Sequence, residues 1–199
     1  MIKRISLLLC TVFLTSIVLT ACRSASLPPP NSTEVIALDQ LPTSSNGTFM
    51  LHSSAVTEGG ALPKEFTCDG SSATLPLSWN GAPEGTKSFA VIMHHIPGPN
   101  DSHWYWVLYD VPANVTSLEE NSTGIGTLGN NSVNSKTEYA PPCSKGPGEK
   151  IYTYTVYALS AEPQLSVPAS DVTRDVLLDA IKDITLASAA LNVSYTRSG

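Results

Sequence analysis

The chain has 199 residues, 42% of them hydrophobic and 14% charged, with a formal net charge of −6. Sparse charge without any basic cluster excludes a nucleic-acid binder held by phosphate contacts. Four cysteines are too few for a disulfide scaffold without a core, and no motif calls for a cofactor.

Taken in chain order, the first feature is an address rather than a fold element. Lys3 and Arg4 precede a mostly apolar run, which ends in Leu19-Thr20-Ala21-Cys22. Residues 1–21 have the layout of a secretory signal, and the run is short for a membrane span. A cysteine directly after Leu-Thr-Ala resembles a bacterial lipoprotein signal, with Cys22 lipidated at the mature N-terminus. Residue 23 is Arg rather than Asp. The expected location is therefore the bacterial cell envelope, lipid-anchored on the periplasmic side of the outer membrane if the source is Gram-negative. Cys10 leaves with the signal, so Cys68 and Cys143 are the thiols of an exported domain. An oxidising compartment favours a bridge between them, and two buried free thiols are the alternative.

Residues 22–46 are rich in Ser, Pro, Asn and Thr, with Pro28, Pro29 and Pro30 in the first half, and read as a flexible tether. The domain proper is expected over 47–199. Strand signals dominate it. Segments 48–53, 75–79, 89–95, 103–111, 151–160 and 191–196 are rich in β-branched and aromatic residues, with Gly/Pro turns between them. Such a pattern predicts a mainly β fold, a sandwich or barrel.

One helix is expected where Val176, Leu177, Ala180, Ile181 and Ile184 recur at helical spacing. Thr173 or Ser170 would be its N-cap, and Asp175 stands in the first turn. Residues 185–190 suggest a second short helix. Residues 121–135, NSTGIGTLGNNSVNS, have little apolar content and predict a long surface loop.

The stretch 87–112 places His94, His95 and His103 at the inner ends of two strands flanking a Pro/Gly loop, where a scaffold can present side chains to a ligand. Simple alternation puts His103, Tyr105, Val107 and Tyr109 on one face, and Trp104, Trp106 and Leu108 on the other. His94 and His95, as neighbours, must diverge.

Several blocks then occur in order: Phe66-Thr-Cys-Asp-Gly70, Leu77-Ser-Trp79, Gly85-Thr-Lys-Ser-Phe-Ala90, Trp106-Val-Leu-Tyr-Asp-Val-Pro112, Pro142-Cys143, Tyr154-Thr-Val-Tyr-Ala-Leu159 and 191–197. Together they resemble the phosphatidylethanolamine-binding protein family, in its bacterial Raf-kinase-inhibitor-like branch. The resemblance implies a Greek-key β-sandwich with one or two peripheral C-terminal helices. It also implies a small anion-accepting pocket. Tyr152 matches the pocket tyrosine, and Pro142 with Cys143 matches its turn. His95 and Pro97 stand where loop aspartates are expected, Tyr105 replaces a strand histidine, Lys150 replaces the histidine before Tyr152, and Pro99 ends the loop.

The expected ligand set is thus Asp69, His95, Tyr105, Pro142, Lys150 and Tyr152, with His94 and His103 at the rim. Four of these donate hydrogen bonds, and Lys150 is a point charge suited to phosphate. The expected partners are a small anionic or phospholipid-head-group-like ligand and the membrane, through the N-terminal lipid. Two other readings accompany this one. His94 or His95 with His103 and Asp69 could form a His₂-carboxylate metal set. An envelope protein-interaction or protease-inhibitor module would use 121–135 as its contact surface. No Gly-x-Ser-x-Gly elbow or His-Glu-x-x-His helix is present, so no hydrolytic site is nominated and a non-enzymatic role is expected.

Overall fold

A computed structural model describes residues 48–98, 101–143 and 147–197. The signal segment, Cys22, the tether and Pro99 lie outside the described residues. Eight strands form: β1 (Met50–His52), β2 (Leu77–Asn80), β3 (Ser88–Gly98), β4 (Asp101–Pro112), β5 (Ser117–Leu118), β6 (Thr127–Leu128), β7 (Glu149–Leu159) and β8 (Thr185–Thr196). They make a three-stranded sheet ordered β1-β2-β5 and a five-stranded sheet ordered β6-β4-β3-β7-β8, with every neighbouring pair antiparallel.

The sheets bury their facing sides against each other. Leu51, Leu77 and Trp79 of the small sheet pack with Phe89, Val91, Met93, Tyr154 and Val156 of the large one. Trp79 meets Phe89 edge-on, with ring centroids 5.3 Å apart, a favoured aromatic geometry. The large sheet is also covered on its outer face. There α1 (Arg174–Ile181) lays Leu177, Leu178 and Ile181 over Ala90, Ile92, Val107 and Tyr157. Eight residues are too few for a helix to persist alone, and each buried aliphatic side chain contributes about 2 kcal/mol to its docking. The Val176 N–H donates to Thr173 Oγ1 at 3.2 Å, which makes Thr173 the cap.

The second helix expected over 185–190 does not form. Those residues are the first half of β8, paired from Leu159↔Thr185 to Thr155↔Ala190 along β7. Their Ala and Leu content favours helix locally, but a long partner strand overrides that preference. The other edge of β8 is partly covered. The Gly59 N–H donates to Asn192 O at 2.8 Å, and Leu62 and Ser194 exchange bonds with Ser194 O and Gly60 O. Glu58 accepts from both the backbone and the side-chain nitrogen of Asn192, at 2.8 and 2.9 Å.

The expected face assignment of β4 also fails, because that strand carries two bulges. Met93 pairs with Trp106 but His94 pairs with Trp104, so Tyr105 is an extra residue. Further along, Phe89 pairs with Val111 and Val91 with Leu108. Two residues, Tyr109 and Asp110, therefore oppose Ala90, and Asp110 takes a left-handed φ of 54°. Tyr105, Trp106 and Leu108 consequently share the face toward the small sheet, while Val107 and Tyr109 face α1.

Residues 121–135 are mostly irregular and solvent-facing, as expected of a surface loop, but the loop is anchored to the sheet. They contain β6, which pairs with Leu108 and Tyr109, and fully buried Asn131. The Asn131 side chain donates to the carbonyls of Lys136 and Glu138, and accepts from the N–H groups of Val133 and Asn134. Its neighbour Ser132 is fastened to β4, accepting from the Trp104 N–H at 2.9 Å and donating to the Trp104 carbonyl at 3.0 Å.

Candidate functional site

At the end of the large sheet, β3, β4 and β7 open onto a cavity of about 420 Å³. Its walls are His95 and Pro97 from β3, Asp101, His103 and Tyr105 from β4, and Lys150 and Tyr152 from β7. Ser132, Val133 and Cys143 complete it. Strand geometry explains the grouping. Lys150 and Tyr152 are two residues apart on β7 and so share a face. His95 and His103 are direct cross-strand partners and point the same way. Tyr105, two residues beyond His103, faces the same space, and the bulge there changes the side taken by the residues that follow it.

The floor is aromatic. Tyr152 is fully buried, its ring 5.3 Å from that of Tyr105 and 5.4 Å from that of His95. The Tyr152 hydroxyl makes no well-formed hydrogen bond among the described residues, although Tyr105 lies close enough to influence its ionisation. Burial, reinforced by the neighbouring phenols of Tyr105, Tyr195 and Tyr139, pushes the Tyr152 phenol well above its usual range. Tyr105 is raised as well, first by burial and further by the charge of Asp101, with Tyr152 opposing. Both phenols therefore remain neutral donors.

His95 is oriented by its backbone neighbour. Its Nδ1 lies 2.7 Å from the Ile151 carbonyl, which can only accept, so Nδ1 carries a proton and Nε2 is the remaining polar atom of the ring. Lys150 has no carboxylate paired with it among the described residues. At the rim, His103 Nε2 sits 3.3 Å from Asp101 Oδ1, both largely exposed. The cavity thus keeps one carboxylate, engaged with a histidine, opposite an unpaired lysine.

Three expected site residues lie elsewhere. His94 is buried on the opposite face, paired with Trp104. Pro142 is buried behind the wall, where its carbonyl accepts from the Cys68 N–H at 3.0 Å. Asp69 does not line the cavity. Its carboxylate accepts from Tyr195 Oη at 2.5 Å and from Arg197 Nε and Nη2 at 3.0 and 2.7 Å. His94, His95, His103 and Asp69 therefore do not converge, and no group of three metal-ligating residues occurs among the described residues. Asp101, Ser132 and Val133 were not anticipated. Asp101 was within reach of sequence reasoning, since it stands two positions from His103. Ser132 and Val133 were not, because their place depends on the buried Asn131.

Cys68 and Cys143 are bridged, with Sγ atoms 2.08 Å and Cα atoms 5.2 Å apart, so a disulfide forms one wall. Arg197 Nη1 lies 3.7 Å from Cys143 Sγ. The Asp69 cluster therefore braces this wall from behind. The Tyr195 hydrogen bond, then those from Arg197 and its charge, hold the Asp69 carboxyl below its ordinary value of 3.8, outweighing desolvation. A lowered folded-state pKa gives stability that is complete above the unfolded value and lost as pH falls through the folded one. The stability advantage over Asp69→Asn should accordingly be constant near neutrality and shrink once pH drops below 3.8. Urea titrations of both proteins from pH 7 to 2.5 would show it, and an advantage that grows on acidification would refute the assignment.

Residues 52–196 match the family model described as phosphatidylethanolamine-binding protein. The chain belongs to that family. Its relatives include UPF0098 proteins of Methanothermobacter thermautotrophicus, 32% identical over 74% of this chain and 98% of the relative, and of Aquifex aeolicus, 33% identical over 68% and 82%. Among solved structures, the family homologue CT736 of Chlamydia trachomatis superposes with a TM-score of 0.69 at 26% identity, covering 75% of this chain and 98% of its own. YbcL of Escherichia coli, a member of the same family, gives 0.66 at 26% identity, covering 75% and 99%. The expected mainly β sandwich is the family fold.

Proposed function

We propose that the chain is an exported, lipid-anchored binding protein whose cavity between β3, β4 and β7 takes a small anionic group, phosphate- or phospholipid-head-group-like, without turning it over. The observation that carries this reading is the convergence of three donors on one cavity: Lys150, Tyr105 and the buried Tyr152 hydroxyl. A phosphoryl or carboxylate oxygen reaching the floor would supply the missing partner of Tyr152, and Lys150 would neutralise its charge. Leaving a buried hydroxyl unmatched costs free energy, so an anion gains from both terms. The lipoprotein-like leader ending at Cys22 supports anchoring in the cell envelope.

Isothermal titration with inorganic phosphate and phosphoethanolamine tests the site. Lys150→Ala and Tyr152→Phe should each weaken binding roughly tenfold, the worth of one charge-assisted or desolvated hydrogen bond. Unchanged affinity in both variants would remove the anion from this cavity. A flat response of the wild type to every anion, with an envelope protein recovered on pull-down, would favour the interaction module instead.

A further inference from the structure

Tyr105 enters the polar cavity, and the bulge there sends its neighbour Trp106 into a different one. This second cavity, of about 250 Å³, lies against β4 and is lined by Trp106, Leu108, Leu118, Ile125 and Leu128. The hydroxyl residues Ser122, Thr123 and Thr137, with two glycines, complete it. No charged side chain contributes, and it shares no lining residue with the first cavity.

Two observations indicate a built chamber rather than loose packing. Its wall over 122–126 is strapped at both ends. At the start, the Asn121 N–H donates to Thr74 Oγ1 at 2.8 Å while the Thr74 N–H donates to Asn121 Oδ1 at 3.1 Å. At the end, Gly126 has a φ of 68° and packs so closely on β4 that a Cβ there would meet the Tyr109 carbonyl at 2.5 Å; Thr127 and Leu128 then pair with β4. The chamber cannot close by letting this wall fall inward. The chamber opens to solvent past Thr123, Gly124 and Thr137, which are exposed, so a small molecule has an entry path. Trp106, 5% exposed, forms the inner side of the wall, its ring fixed edge-on against Tyr139 with centroids 5.5 Å apart.

We propose that this chamber is a second ligand site, for a compact neutral molecule of one or two rings whose polar atom, where it has one, meets the hydroxyls of Ser122, Thr123 or Thr137. Absence of charge in the lining excludes ions, because a desolvated charge would have nothing to pair with. Size limits the rest. An apolar cavity of roughly 150 Å³ accommodates benzene, so 250 Å³ admits a bicyclic molecule but not an extended chain. This site is independent of the anion reading and stands or falls without it.

1-Indanone, neutral and bicyclic with one carbonyl, is a suitable probe, with ethylbenzene as the probe lacking an acceptor. Calorimetry on the wild-type domain should show saturable one-to-one binding of 1-indanone, weaker binding of ethylbenzene, and a rise in melting temperature with each. Ile125→Trp, which fills the chamber from the strapped wall, should reduce affinity at least tenfold. Leu128→Phe is the second filling variant should the first not fold. Lys150→Ala and Tyr152→Phe should bind the probes as the wild type does. No saturable binding to folded wild type, equal affinity in a folded filled variant, or loss of binding in Lys150→Ala would each overturn the proposal.

Discussion

Reduction of the Cys68–Cys143 bridge is expected to lower the unfolding free energy by roughly 4 kcal/mol, the chain-entropy value for a loop of this length. The two cysteines are 75 residues apart. Freeing the denatured chain from so long a closure raises its entropy, while the folded turn keeps other supports. The Cys68 N–H still reaches the Pro142 carbonyl, and Asp69 still holds Tyr195 and Arg197. The reduced protein should therefore fold, with an earlier urea midpoint and a looser cavity wall. Denaturation curves with and without reductant, alongside Cys68→Ser/Cys143→Ser, give the number. A midpoint unmoved while the free-thiol count rises by two would contradict it.

Asn131→Ala should destabilise the domain by about 3 kcal/mol, a large effect for one side-chain amide. Four hydrogen bonds vanish together, from Val133 and Asn134 and to Lys136 and Glu138. Asn131 is fully buried, so water does not readily replace them. The Lys136 carbonyl keeps its bonds from the Asn131 and Glu138 N–H groups, while the Val133 and Asn134 N–H groups and the Glu138 carbonyl lose their partner. The same change should disturb anion binding, because Ser132 and Val133 follow directly in the cavity wall. Asn131→Asp would keep the two acceptor bonds and lose the two donor bonds, with a charge added to the interior. It should be at least as damaging. A loss below 1 kcal/mol for the alanine variant, measured by urea titration, would mean the segment is held by other contacts.

These two effects mark where sequence reasoning succeeded and where it stopped. The long strands were legible because β-branched and aromatic runs between Gly/Pro turns are local signals. The cysteine pair was legible from compartment and count. The bulges in β4 were not, since an extra residue is defined only against a partner strand, and alternation read along one strand keeps the wrong phase beyond Tyr105. Residues 121–135 read correctly as a surface loop, but the anchor within them did not show. Polarity usually means exposure, but Asn131 spends its polarity on the chain around it. Asp69 misled for a different reason. It was placed in the expected ligand set, whereas its partners lie 126 and 128 residues away, at Tyr195 and Arg197.

The clamp on β8 bears on when this domain can finish folding. Glu58 meets Asn192 across 134 residues, and Asp69 meets Arg197 across 128, so the first segment of the domain is fastened by the last. Until the final strand is available, the large sheet lacks an outer strand and the bridged turn lacks its brace. Contacts of such long separation form slowly. A chain still lacking β8 therefore cannot complete the large sheet, and the domain closes only when its first and last segments are both present.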